Sequence, residues 1–350
     1  MRRFVNARTL SEIVNHIVEE ILEVMLKNIK EINDYLLKLN AELKFSGSVL
    51  ITDHNEIIHS EGYGMSNYEL HVPNTVGTKF RIASVTKPIT AIATLKLVEK
   101  GLLDLNTCIN EYLVGFPNGE LINIHHLLSH TSGIYNFTNS SDFMGWFIQP
   151  QTIDEVIERF KDKPLSFRPG ESFEYSNSNY VLLTKIIEIL GNCTFEEFLI
   201  EQIFLPCRMQ DSGIDVQDRV ILNRASGYML ENNELRNSPN IQVVNSYGSG
   251  CLYSTVEDLY RLESALNRGE LLSSKLKDKM FTPNFEGFGY GWIIQEEDNC
   301  KILGHSGGIH GFSSIILKYV EEQICIVVLS NIFQPVDEIA REIVSMIRRR

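Results

Sequence analysis

The chain has 350 residues, 43% of them hydrophobic and 22% charged, which is enough for one large core or two modest ones. Its 45 acidic residues against 32 basic ones leave a net charge of -13, which argues against nucleic acid or an anionic membrane surface as a general partner. No run reaches the roughly 20 apolar residues that cross a bilayer, and Glu19, Glu20, Glu23 and Lys27 interrupt what would have to be the core of a signal peptide after Met1-Arg2-Arg3. No transmembrane anchor is read, and the cytoplasm is the expected location unless export takes another route.

In chain order, Ile13, Ile17, Ile21, Met25, Ile29, Ile32, Leu36 and Leu37 recur with a helical period over residues 9–41, predicting one long helix or two packed by one face. Gly47 to Thr52 and Ile57 to Tyr63 read as strands joined at Asp53-His54-Asn55, a hairpin by turn chemistry. From Leu102 to Asn245 helices alternate with Pro, Gly and Asn breaks, among them 152–161, 178–190 and 194–204. Three further strand-like runs follow, Ile302 to His305, Phe312 to Tyr319 and Ile324 to Ser330, and then a helix from about residue 335. Strands at both ends with helices between predict an α/β unit assembled from residues 30–101 and 246–350, with an inserted helical domain over 102–245. Residues 1–29 read as an extra helical piece. The six cysteines show no C-x-x-C spacing and read as reduced, buried small hydrophobes rather than a disulfide framework or a zinc site.

Chemistry enters at Ser84-Val85-Thr86-Lys87. A serine hydroxyl is a poor nucleophile at neutral pH, and a lysine three residues on, along one helix face, lies within reach as its base. Pro88 fits a first helical turn, and Ile89, Ile92, Ala93, Leu95, Leu97 and Val98 continue apolar positions toward Gly101. Ser84 is therefore expected at the amino end of a buried helix, where free amides favour developing negative charge. The spacing alone is not specific, since Ser274-x-x-Lys277 repeats it and reads as a serine capping a surface helix.

Two more clusters accompany it. Tyr175-Ser176-Asn177 follows the turn Pro169-Gly170; a phenol near cations loses its proton more readily than usual, so Tyr175 is a candidate base, and Asn177 can hold a substrate carbonyl and Lys87 together. His305-Ser306-Gly307-Gly308 closes a strand-like run, where glycines let a substrate backbone lie along a strand edge and a free N–H face an oxyanion. Taken singly, these also read as the end of a loop and as a glycine-rich turn.

Together and in this order, the three clusters resemble the serine β-lactamase and penicillin-binding protein superfamily, in the branch that holds class C β-lactamases, D-stereospecific peptidases and carboxylesterases. Further segments resemble the family in family order: Phe45 to Leu50, Leu127 to Gly133, Pro169-Gly170, Gly250 to Thr255 and Tyr290-Gly291-Trp292, so that the likeness spans about residues 30 to 335. The resemblance implies an antiparallel five-stranded sheet flanked by helices, an inserted all-helical domain and a site in the cleft between them. It implies attack by Ser84, deprotonation of Ser84 helped by Lys87, general-base action and later proton return to the leaving group by Tyr175, orientation of substrate and Lys87 by Asn177, and an oxyanion hole from the N–H groups of Ser84 and Gly308. No cofactor and no metal are implied, and the substrate is a small molecule or peptide with an acyl group. Oligomeric state is not read.

The family's class C members carry lysine where this chain has His305. Histidine is mostly neutral at pH 7, so a substrate carboxylate is held less firmly and a D-alanyl-D-alanine carboxypeptidase, related peptidase or esterase is expected before a true class C β-lactamase. By the same logic His305→Lys is expected to speed β-lactam acylation. Competing readings are a penicillin- or peptide-binding sensor without efficient turnover, a metal site from His125, His126 and His130, and paired carboxylates, of which none stands out; Glu171 and Glu174 read as solvated loop charges.

Overall fold

In the computed structural model, which describes residues 26–349, a helix over 26–41 (α1) precedes the hairpin Gly47–Asp53 (β1) and Glu56–Tyr63 (β2). His54 and Asn55 both take positive φ, 50° and 65°, the paired left-handed turn that matches the twist of two antiparallel strands. The later strands are Ile293–Glu297 (β3), Cys300–Ile309 (β4), Phe312–Tyr319 (β5) and Ile324–Ser330 (β6). All six form one antiparallel sheet in the order β3-β4-β5-β6-β1-β2, so the two ends of the chain meet where Gly47 pairs with Ser330.

Alternation along the central strands feeds two cores. Val49, Ile51, Ile326 and Val328 pack with Ile32 and Leu36 of α1 and with Ile339 and Ile343 of the final helix Asp337–Arg348. Leu50, Val327 and Leu329 face the other way, into the core shared with Ile89 and Ile92 of the helix Thr86–Glu99 (α2). Burial on both faces explains why β6 reads as an unbroken apolar run. Full burial of each such side chain contributes roughly 1.5–3 kcal/mol.

The sheet has six strands where five were expected. The extra one, β3, is Ile-Ile-Gln-Glu-Glu, and its polar second half is what an edge strand needs at a solvent boundary. It covers only part of its neighbour: Ile293 pairs with Gly304, and from His305 to Ile309 β4 has no strand on that side.

The expected middle helices occur as Ile153–Glu158, as Asn177–Gly191 (α3), and as Phe195–Leu199 continuing into a wider turn over Ile200–Phe204. The positions at Ile13, Ile17, Ile21 and Met25, and most of the expected extra piece 1–29, lie outside the described residues. The cysteines are unpaired; four are buried, but Cys108 and Cys193 are only half-buried. No helix among the described residues is long and apolar enough to cross a membrane.

Candidate active site

Ser84 lies in a short turn, Ala83–Val85, that leads directly into α2, one step ahead of the helix rather than inside it. Ala83 takes φ of 45°, a left-handed conformation rare for a residue with a β-carbon, and this bend presents the half-buried Ser84 to the cleft. Lys87 is completely buried in the first turn of α2. Its Nζ lies 3.0 Å from Ser84 Oγ, 2.7 Å from Asn177 Oδ1 and 2.8 Å from the carbonyl oxygen of Ser249. None of these partners is a carboxylate, and burial holds the amine well below the usual lysine range.

Ser249 comes from the segment Val243–Ser249, which is wedged between α2 and α3. Thr90 donates to the Gly248 carbonyl at 2.7 Å and Gly248 N–H donates to Thr184 at 2.8 Å. A β-carbon on Gly248 would stand 2.4 Å from Thr184 Oγ1, so the close approach requires glycine. Tyr247, at φ 45°, carries the turn that aims the Ser249 carbonyl at Lys87.

Tyr175 reaches the site because the segment before it is stitched to residues 130–133. Ser166 N–H donates to Gly133, Gly170 N–H to Thr131 and Glu174 N–H to His130. Lys87 Nζ stands 4.8 Å above the Tyr175 ring. The expectation of an easily ionised phenol is corrected here: burial raises Tyr175 above its ordinary range, more than the nearby Ser84 hydroxyl lowers it, so the neutral phenol is favoured. Asn177, the first residue of α3, accepts from Lys87 through its Oδ1, while its Nδ2 faces Asn136 Oδ1 and Thr138 Oγ1 at 3.4 Å each.

On the third cluster, His305 is buried on β4, with Nδ1 2.6 Å from the Ser306 carbonyl and Nε2 unpartnered. Desolvation, helped by Lys87, lowers it to about 3, so it is neutral at physiological pH. Gly307 packs against the turn that carries Ser84: a β-carbon there would meet Ile82 O at 2.4 Å and Ser84 N at 2.9 Å. Strand alternation turns Ser306 toward the opposite face from His305 and Gly307, and Gly308 is exposed at the cleft.

Ser84, Asn177 and Gly308 line one cavity of about 340 Å³, with Phe137, Phe143 and Phe147 on one wall and Met229, Ile309 and Phe333 on another. Phe137 and Phe147 are also core residues, so these rings both fill the packed middle segment and wall the cavity. Sequence reasoning missed the role of His130. Its ring stacks on Tyr175 at 4.4 Å between centroids, and its Nδ1 accepts the Ser176 N–H at 3.1 Å. Ser314, whose hydroxyl donates to Ile82 O at 2.7 Å, was also missed, and so was the Ser249 carbonyl, which is backbone and leaves no mark in a motif.

The other candidates disperse. His125 Nδ1 meets Tyr290 Oη, His126 closes a capping box with Asn123, and His130 belongs to Tyr175. No group of three or more His, Cys, Asp or Glu among the described residues could hold a metal ion. Ser274 is the first residue of the helix Ser274–Met280 rather than its cap, and Lys277 turns to the carbonyl of Asn267 instead.

This sheet-and-cleft arrangement is that of β-lactamases and transpeptidases. An octameric penicillin-binding protein homologue from Pyrococcus abyssi matches with a TM-score of 0.80 at 30% identity, over 92% of this chain and 78% of that one. A penicillin-binding protein from Bacillus halodurans gives 0.80 at 28% identity, over 89% and 98%. The Beta-lactamase family matches residues 35–345, and the chain belongs to it. A penicillin-binding protein of Bacillus subtilis (strain 168) is 29% identical over 320 residues, covering 84% of this chain and 69% of that one. The resemblance seen in the motifs is borne out, and the protein takes its place among the hydrolases related to β-lactamases.

Proposed function

We propose that the protein is a serine hydrolase that forms an acyl-enzyme on Ser84 and acts on peptide or ester bonds, in the cleft between the sheet unit (30–101 with 246–350) and the inserted segment 102–245, which is not all-helical as expected but also carries the strands Gly213–Ile214, Tyr228–Glu231 and Glu234–Asn237. The observation that carries this reading is the triple contact of the buried Lys87. A neutral amine has two N–H donors and one lone pair. Asn177 Oδ1 and the Ser249 carbonyl can only accept, so they take the two donors and leave the lone pair facing the Ser84 hydroxyl.

On that arrangement Ser84 Oγ forms the bond to the substrate carbonyl carbon while its proton passes to Lys87. The negative oxygen is received by the N–H groups of Ser84 and Gly308, donors whose individual loss costs about 3–4 kcal/mol in such sites. As the bond to the leaving group breaks, the Tyr175 hydroxyl supplies the leaving group's proton and is reprotonated from Lys87. Water then attacks the ester carbon, gives its proton to the same relay, and Ser84 regains its hydrogen. Lys87 is the base and Tyr175 the proton carrier, because burial favours the neutral form of both.

The test is intact-protein mass against time after addition of benzylpenicillin and, separately, of an activated ester, with Ser84→Ala alongside. A mass gain on the wild type alone is expected with at least one of them. Equal adducts on the variant would overturn the assignment.

A further inference from the structure

We infer that this cleft takes substrates that carry no charge on either side of the scissile bond, with an aromatic or bulky apolar acyl part, and that it rejects leaving groups bearing a free carboxylate. The inference rests on the serine-hydrolase reading above and narrows it.

None of the residues that line the cavity is Lys, Arg, Asp or Glu, and its lining histidine, the half-buried His310, is pushed toward the neutral form by burial. Apolar side chains reach the cavity from separate parts of the chain, Phe137, Phe143 and Phe147 from one and Ile309 and Phe333 from another, and its polar lining carries no fixed charge. The cations that come near are already committed. Lys87 is buried behind Ser84 with three partners, and Arg81, three residues before Ser84, is paired with the buried Asp215 and stacked 5.6 Å from the Phe312 ring. His305 is buried and neutral, its Nδ1 held by its own strand. On the sheet side, the Phe333 ring fills the space beside Gly308, 3.2 Å from where a β-carbon on that residue would be.

A carboxylate drawn into such a cleft loses water and gains no cation, whereas an ester or amide carbonyl loses far less. The overall charge of -13 adds long-range repulsion of anions. What remains favourable is apolar contact with rings on both walls, which suits a phenylacetyl or similar group. Specificity against the carboxylate is thus a property of Phe333 and of the buried, neutral His305, and it acts by leaving one substrate group unpaired.

Two aryl esters of phenylacetylglycine test this, one with a meta-carboxylate on the leaving phenol and one with the isosteric meta-carboxamide. The expected result is a kcat/KM about 100-fold higher for the carboxamide, the scale on which a site rejects a group it cannot pair. Phe333→Arg, which brings a guanidinium beside Gly308, is expected to close that gap at least tenfold by speeding the carboxylate ester. A wild-type ratio below about tenfold overturns the inference while leaving the serine-hydrolase reading intact. If neither ester is cleaved and neither adds mass at Ser84, it is that reading which falls, and the inference with it.

Discussion

Gly307 and Ser84 approach so closely that a single methyl group would separate them: a β-carbon on Gly307 would lie 2.9 Å from the Ser84 backbone nitrogen and 2.4 Å from the carbonyl oxygen of Ile82. Both obstacles are backbone and cannot swing aside. Gly307→Ala is therefore expected to push β4 from the nucleophile turn, lowering acylation at least 100-fold and stability by about 1–3 kcal/mol. Adduct formation and urea unfolding measure the two effects, and full activity in the variant would show that the turn and strand need not touch.

The proton arrangement predicts a pH profile. Lys87 is held below its ordinary 10.5 and Tyr175 above its ordinary 10.0, so kcat/KM is expected to rise with pH as Lys87 loses its proton and then to stay level through pH 10. An alkaline fall near pH 10 would mean that Tyr175 titrates as an exposed phenol does. Lys87→Ala is expected to cost 100-fold or more in kcat, since it removes the base and frees the Ser249 carbonyl and Asn177.

His130 touches no substrate, yet it fixes the ring of Tyr175 from behind and accepts the Ser176 N–H. In His130→Phe the stack survives and that buried N–H is orphaned, at a cost of about 1–3 kcal/mol. The expected signature is a lower unfolding midpoint with kcat reduced more than KM is changed. A loss confined to KM would contradict a positioning role.

His305 contributes acid sensitivity. Its folded value of about 3 lies below the ordinary 6.5, so the unfolded chain binds the proton first as pH drops. Stability from its neutral burial is complete above pH 6.5 and is lost as pH falls toward 3, by up to about 5 kcal/mol. Urea midpoints of wild type and His305→Gln between pH 7 and 4 check this, with a flatter slope expected for the variant.

Much of this architecture could be read in the sequence, and the losses have physical causes. β5 and β6 stood out because burial on two faces leaves them nearly all apolar, whereas β3 was hidden by Gln295, Glu296 and Glu297, residues that serve a solvent edge. Ser84, Lys87, Tyr175, Asn177 and His305 were visible as side-chain types at telling spacings. The Ser249 carbonyl, the bend at Ala83 and the tight seat of Gly307 are backbone properties, and spacing carries no trace of them. The expectation for Tyr175 failed because nearby cations were weighed without the burial that accompanies them.

The early stop of β3 at the level of Gly304 has a consequence for the protein's behaviour in solution. Five residues of β4 run on with no strand beside them on that side; the Ser306 carbonyl is taken by His305 Nδ1 at 2.6 Å while Gly308 stays exposed, and an open strand edge is the feature by which sheets of separate molecules join. Here the last two residues of that stretch, Gly308 and Ile309, line the same cavity as Phe137, Phe143 and Phe147. Facing aromatic side chains across a cavity, that edge is screened from the edge of another folded sheet, which lowers the hazard that an open strand otherwise carries.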